Sequence, residues 1–320
     1  MIPVPSNVLR TLQQGDNFLI TSHVRPDGDS IGSMAALGHI LQKLGKNFCL
    51  YNESGLPERY AWLNMPAGLQ TDFPGNSWDW IIVLDSGNIT RPGDHIVELS
   101  QDTPIINIDH HPGNPEFGRV NWVDPGASSV GEMVAGLALE LGVGLNGSLG
   151  QGIYLAMVSD TGFFSFGNTT PGVLELSARL IREGLDPAEI NPKITNQWSI
   201  PRIYLQGRAL QQAEFLDQGR IALTSVSREM FQQTGAGPED CEGLVNMLLK
   251  VHGVRVAAAL REDEPGHIKL SLRSADTDDV QRIAEDLGGG GHKNAAGGLI
   301  KASLEQAREM VLQACRRYME

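Results

Sequence analysis

The first half of the chain alternates between two kinds of apolar pattern. Short continuous apolar runs bounded by turn residues occur at "NFLITSH" (17–23), "NFCLY" (47–51), "WDWIIVLDSG" (78–87) and "TPIINIDHH" (103–111). Runs of this kind predict strands covered on both faces. Between and after them come segments with helical spacing: "SIGSMAALGHILQKLG" (30–45), "SSVGEMVAGLALELG" (128–142) and "SLGQGIYLAMVSD" (148–160). In the first of these Leu37, Ile40, Leu41 and Leu44 share one face, and Gly45 supplies a C-terminal stop. Strands alternating with helices predict an α/β domain on a doubly wound, mainly parallel sheet.

The pattern changes after residue 186, where "DPAEINPKITNQWSIPRIYLQGRALQQAEF" reads as polar connecting helix with little strand signal. Beyond it "GRIALTSV", "GVRVAAAL" and "HIKLSLRS" predict strands, and "EDCEGLVNMLLKVH", "DVQRIAEDLG" and "SLEQAREMVLQACRRYM" predict helices. The expected organisation is a first domain over 1–190, a linker over 191–215 and a smaller α/β domain over 216–320, with a cleft between the domains.

Composition narrows the classes. With 320 residues, 41% hydrophobic, the chain is globular, and nothing in it approaches the ~20 apolar residues of a membrane span. The N-terminus lacks the basic start and apolar core of a signal peptide, and Cys49, Cys241 and Cys315 are too few and too scattered for a disulfide framework or a thiolate zinc site. A cytoplasmic protein is expected. The formal charge of −13, from 25 basic and 38 acidic residues, disfavours a protein that coats long nucleic acid. It leaves room for a small phosphorylated substrate, since bound metal ions supply positive charge locally.

Candidate chemistry lies at the ends of the predicted elements. "SHVRPDGDS" puts His23, Asp27 and Asp29 after the first strand, "VLDSG" puts Asp85 at the end of another, and "NIDHH" puts Asp109, His110 and His111 at the end of a third. "MVSDTG" adds Asp160 at the end of a helix. In an open parallel sheet ligands bind at the carboxyl ends of the strands, so these groups are expected to converge. Taken singly each has a plainer explanation. Asp27-Gly28-Asp29 is a turn sequence, and Asp29 is placed to cap the helix near Ser30. Gathered together, the carboxylates repel one another unless a cation neutralises them. Oxygen and imidazole donors without thiolate suit Mn2+ or Mg2+ better than Zn2+, iron or Co2+, and there are donors enough for two ions sharing a carboxylate. His39, His95, His252 and His267 have no such setting and are expected to be structural or surface residues.

The second domain has its own candidate in "EDLGGGGHKNAAGGLI" (285–300). A glycine run is often only a helix stop and a flexible linker. Here it leads into small residues and another apolar segment, which predicts a loop whose N–H groups meet an anion, with His292 adding a donor. Arg273 in "SLRS" is placed at a strand end, where a guanidinium can grip a phosphate.

These motifs resemble the DHH phosphoesterase superfamily: "SHVRPDGDSIGS", "VLDSG", "DHH" and "SDTG" match its four motifs, and "SLRS" with "GGGGHKNAAGG" its C-terminal substrate-binding domain. Length and domain order are most similar to the nanoRNase / pAp phosphatase subfamily of bacterial oligoribonucleases. The resemblance implies one metal ion on His23, Asp27 and Asp85 and another on Asp29, Asp85, His110 and Asp160, with Mn2+ foremost and Mg2+ or Co2+ as alternatives. It further implies that Asp85, Asp109 and His111 are catalytic, His111 contacting the scissile phosphate and Asp109 supporting the histidines. Arg273, Gly290, Gly291 and His292 would hold the far end of the substrate. The chain departs from the family in "TGFFSFGNTT", where Ser165 stands in a segment that often carries a basic residue.

The implied activity is hydrolysis of short RNA to mononucleotides and of 3′-phosphoadenosine 5′-phosphate. Other readings are a phosphodiesterase for cyclic or linear dinucleotides, a RecJ-like single-strand DNA exonuclease, and a nucleotide sensor with a dead site. The expected partners are short RNA or small nucleotides and no membrane, with monomer and homodimer both open.

Overall fold

The computed structural model describes residues 2–75, 77–275 and 278–319 of the chain. They form two compact units, Met1–Gln197 and Trp198–Glu320.

The first unit runs α1 (Ser6–Gln14), β1 (Asn17–Ser22), α2 (Gly28–Lys43), β2 (Asn47–Tyr51), β3 (Leu69–Gln70), β4 (Trp80–Leu84), α3 (Asp94–Leu99), β5 (Ile105–Asp109), β6 (Val120–Val123), α4 (Val130–Glu140), α5 (Gly147–Asp160), α6 (Pro171–Arg182) and α7 (Pro187–Thr195). Its six strands are ordered β3-β2-β1-β4-β5-β6 and every pairing is parallel. The apolar runs of β1, β4 and β5 are buried almost without interruption because both faces of the sheet are covered. On one face Ile20, Ile82 and Ile106 pack with side chains of α2, α4 and α5; on the other Leu19, Ile81 and Ile105 pack with Ile96 and Leu99 of α3. The sheet is doubly wound, as the alternation of strands and helices predicted. The chain leaves β1 outward through β2 and β3, then returns to place β4 on the other side of β1. The switch point, where loops diverge and leave a crevice, therefore lies between β1 and β4.

Helix α2 was expected to bury the Leu37, Ile40, Leu41 and Leu44 face. Instead every residue from Gly28 to Leu41 except His39 is buried. The cause is a close crossing with α5. A Cβ on Gly32 would lie 2.3 Å from the carbonyl oxygen of Gly152, and one on Gly152 would lie 2.7 Å from the carbonyl oxygen of Gly32. The two helices meet backbone to backbone, and Gly28 at the start of α2 abuts Ser159 at the end of α5.

The second unit runs α8 (Ile200–Gln211), β7 (Glu214–Leu216), β8 (Ile221–Val226), α9 (Arg228–Thr234), α10 (Leu244–Leu249), β9 (Val256–Glu264), β10 (His267–Ser274), α11 (Val280–Asp286), β11 (Gly290–His292), β12 (Ala295–Lys301) and α12 (Leu304–Tyr318). The sheet order is β11-β12-β10-β9-β8-β7, with only β8 and β9 parallel. Helices α11 and α12 cover one face; α8, α9 and α10 supply the cores on the other.

The segment 191–215 is divided between the units. Helix α7 ends in the first, while Leu205 and Ala209 of α8 are buried with Val226, Met230 and Leu244 of the second. "EDCEGLVNMLLKVH" is not one helix: Gly243, at φ +82°, separates a short 3₁₀ turn at Pro238–Cys241 from α10. The glycine run is an edge hairpin, β11 with β12, rather than an open loop. No helix among the described residues is long and apolar enough to cross a membrane.

The α2–α5 crossing yields a direct test. Gly32→Ala would force a methyl against a backbone oxygen that cannot rotate away, and overpacking of this kind costs about 1–3 kcal/mol. Denaturant unfolding should show that loss, whereas Gly207→Ala, where an added Cβ meets nothing within 4 Å, should not.

Candidate metal centre

The crossing sets the N-terminus of α2 beside the C-terminus of α5, and the switch point sets the loops after β1 and β4 beside both. Asp27 capping α2 and Asp29 on it, Asp160 ending α5, His23 after β1, Asp85 after β4, and Asp109, His110 and His111 at the end of β5 are thereby brought to one edge of the sheet.

Donor atoms of His23, Asp27 and Asp85 lie within 4.8 Å of one another, as do those of Asp29, His110 and Asp160, and those of Asp85, His110 and His111. Asp85 joins the groups. One of its oxygens is 3.5 Å from Nε2 of His23, and the other is 3.7 Å from Nε2 of His110. Ser30 donates its hydroxyl to Asp85 at 2.6 Å and so fixes the carboxylate plane. The Asp85 backbone sits at φ +53°, a left-handed conformation that few residues adopt without a tertiary reason. Its N–H donates to the carbonyl of Ile108, so strand pairing holds the conformation.

Two histidines share one orientation and a third differs. His23 donates Nδ1–H to the carbonyl of Val24 at 2.9 Å, and His110 does the same to Ala127 at 3.3 Å. A carbonyl can only accept, so Nδ1 carries the proton in both and Nε2 faces the carboxylates, the arrangement of a metal-binding imidazole. His111 instead directs Nδ1 at the Asp109 carboxylate, 2.8 Å away, and its ring is part exposed.

Asp29 is completely buried and does not cap α2; Asp27 does, accepting from the N–H of Ser30. The expectation of a capping role for Asp29 is corrected in an unexpected direction. Asp29 caps α4, accepting from the N–H groups of Val130 and Gly131 at 2.7 and 2.9 Å and from the hydroxyl of Ser33 at 2.8 Å. The positive end of that helix makes a buried carboxylate tolerable and leaves Oδ2 facing His110, 3.7 Å away.

The acid–base balance follows from crowding. Burial, then the charges of Asp85 and Asp160, hold the Asp29 carboxyl well above the usual range, and burial also raises that of Asp160. Burial opposes charge on His110, yet Asp160 at 3.1 Å with Asp29 and Asp85 raises its pKa to about 10. His23 is raised against burial by its bond to Asp85. Asp109 is lowered despite burial, because His111 and Asn114 both donate to it. Without a metal ion, a protonated His110 supplies the compensating charge. Four carboxylates, Asp27, Asp29, Asp85 and Asp160, match the charge of two divalent cations, and oxygen and nitrogen donors with no sulfur suit such ions.

Several side chains that hold the site had no sequence signal of their own. Asn52, just past β2, clamps the carbonyl of His23 at 2.9 Å. Asn114 donates to Asp109 at 2.6 Å and to the carbonyl of Ser86 at 3.2 Å. Ser33 lies one helical turn after Asp29, a spacing that could have flagged it.

In the second unit Arg273 of β10 pairs with Ala295 of β12, which pairs in turn with His292 of β11. Paired residues in antiparallel strands share a face. Arg273 and His292 therefore stand on one face of the sheet with only a methyl group between them, about 9–10 Å apart across two strand spacings. The N–H groups of Gly288 and Gly289 are committed to the end of α11, accepted by Glu285 and Ala284.

Comparison with known proteins follows the same division. The model of the DHH family, N-terminal domain, matches residues 17–157, and the DHHA1 domain matches 220–320. A relative from Thermus thermophilus named bifunctional oligoribonuclease and PAP phosphatase NrnA is 34% identical over 304 residues, covering 93% of this chain and 88% of the relative. The crystal structure of an exopolyphosphatase-related protein from Bacteroides fragilis aligns with a TM-score of 0.88 at 28% identity, over 99% of this chain and 98% of that one. Exonuclease RecJ bound to manganese aligns with a TM-score of 0.53 at 17% identity, over 99% of this chain and 95% of that one, and shares the fold. The family match and the named relative define a hydrolytic phosphoesterase. The chain belongs to the DHH family, with a DHHA1 domain following the DHH domain.

Metal binding should be linked to protons. His110 is charged below about 10 in the ion-free protein, and a ligating imidazole must be neutral, so binding at pH 7.5 displaces a proton. Affinity for Mn2+ should rise as pH increases from 6 to 9. Calorimetry in two buffers of different ionisation enthalpy measures the release; equal heats in both would contradict it.

Proposed function

We propose that this protein hydrolyses short oligoribonucleotides to mononucleotides and removes the 3′-phosphate of 3′-phosphoadenosine 5′-phosphate, using two divalent metal ions of which Mn2+ is the working one. The observation that carries the reading is Asp85, whose two oxygens face two separate ligand groups. The name of the Thermus thermophilus relative supports the substrate class.

In this reading His23, Asp27 and Asp85 hold one ion, and Asp29, Asp85, His110 and Asp160 hold the other. Two divalent ions held there would supply Lewis-acid chemistry for water and for the phosphoryl oxygens. The chain's own groups do the rest. Asp109, fixed by Asn114, accepts the Nδ1–H of His111 and turns Nε2 toward the scissile phosphate. Arg273 and His292, with the backbone of Gly290 and Gly291, bind the far end of the substrate, residues 1–190 acting as the catalytic domain and 216–320 as the binding domain. A cytoplasmic location fits these substrates.

Two outcomes test the proposal. Asp85→Ala should lower kcat by orders of magnitude, because one residue would serve both ions, while His39→Ala, whose ring bonds the carbonyl of Asn64, should stay near wild type. Length dependence tests the substrate class. A chain of charge −13 lacks a long basic track, so kcat/KM should fall steeply between RNAs of about five and about twenty nucleotides. Faster turnover of long single-stranded DNA would move the assignment to a RecJ-like exonuclease.

A further inference from the structure

The segment after Asp160 adopts a conformation that its sequence does not favour. Gly162, Phe163 and Phe164 have φ of +55°, +53° and +63°, one left-handed turn in which two members are bulky aromatics. Each such non-glycine residue costs of order 1–3 kcal/mol and persists only where its surroundings enforce it. The enforcement is visible. Phe163 N donates to the carbonyl of Val158, Phe164 N to the hydroxyl of Thr161, and Ser165 N and Phe166 N to the carbonyl of Thr161. Phe164 packs into the main core. Asn168 donates its amide to the carbonyl of Asp160 and so ties the end of the turn back to its start.

The result of this strained, fully bonded turn is an aromatic ring held in the open. Phe166 is 59% exposed, and its ring lies directly over Gly162, where an added Cβ would come within 2.4 Å of it. Glycine is needed there both for the backbone angle and for the ring. Gly162 is two residues from Asp160, at most about 7.6 Å between Cα atoms. The exposed ring of Phe166, held over Gly162, therefore lies next to the end of α5, where Asp160 belongs to the candidate metal centre. Rings presented this way bind bases by stacking with little ordering cost, and every base has a π-face.

We propose that Phe166 is a stacking platform for the nucleobase next to the scissile phosphate. It rests on the nucleotide reading above and adds a residue that selects substrates carrying a base. The contact is independent of base identity, so it favours nucleotides over other phosphate esters and discriminates little among the four bases.

The test compares a dinucleotide with analogues in which one or the other nucleoside is an abasic riboside, using the full-length Mn2+-loaded protein. If wild type hydrolyses none of them, the nucleotide reading itself fails. If it hydrolyses them, Phe166→Ala should lower the ratio of kcat/KM for base-bearing over abasic substrate by about 5-fold or more, mainly through KM. Phe166→Trp should restore the ratio, and Phe166→Leu, which keeps apolar bulk without a π-face, should not. Equal losses on both substrates, or restoration by leucine, would overturn the proposal. So would a change of mass in light scattering on Phe166→Ala, which would make the ring a contact between protein molecules.

Discussion

Three carboxylates, Asp29 and Asp85 out of reach of water and Asp160 partly exposed, are forced together at the switch point of a parallel sheet, and their mutual repulsion is the constraint on which the first unit is built. Each is met by a different device. Asp29 receives the N-terminus of α4, Asp85 receives the hydroxyl of Ser30, and Asp160 receives the imidazole of His110. None of these partners is local in the sense of a turn: Val130 lies 101 residues from Asp29. The helices are therefore positioned by the charges as much as by apolar packing. Helix α4 must aim its positive end at α2, and α2 must approach α5 closely enough for Asp29 and Asp160 to share His110. Glycines at the α2–α5 crossing meet that demand, since a larger residue would hold the backbones apart.

The same constraint explains where the backbone is strained. Asp85 is left-handed just after its strand, and the turn beginning at Gly162 is left-handed just after its helix. Both follow an element that would otherwise continue past the site. A left-handed residue reverses the chain at once, so the carboxylate is delivered at the end of the element and the following residues are turned aside. Strain of this kind is sustained by hydrogen bonds elsewhere, from Asp85 N to Ile108 and from Phe163 N to Val158. It is the cost of ending a strand or a helix on a charge.

What the sequence made legible was whatever depends on period and on element ends. Continuous apolar runs marked β1, β4 and β5, and the polar residues terminating them were read as one site because a parallel sheet aligns its carboxyl ends. Features fixed by tertiary approach left no such trace. The six-residue α3 and the two-residue β3 are too short to show a period. The burial of α2 all round depends on a partner helix more than a hundred residues away. Asn52 and Asn114 look like ordinary turn residues until the carbonyl of His23 and the carboxylate of Asp109 are seen against them. The capping roles of Asp27 and Asp29 could not be separated by spacing, since both precede the same helix and only the fold shows that α4 takes one of them.

The glycine run of the second unit shows how strongly strand packing alone constrains one motif. A Cβ on Gly289 would strike the carbonyl oxygen of Gly297 at 2.2 Å, and one on Gly291 would strike that of Ala295 at 2.6 Å. Those two glycines are required for β11 to lie against β12, whatever the hairpin binds. Gly290 differs, because nothing lies within 4 Å of its added Cβ, so packing against β12 places no demand on it. Among the described residues β11 is the outermost strand of its sheet. His292 and Arg273 stand in one row with Ala295. Both side chains are carried by paired strands rather than by a loop. Strand pairing, not glycine flexibility, is what gives this motif its precision.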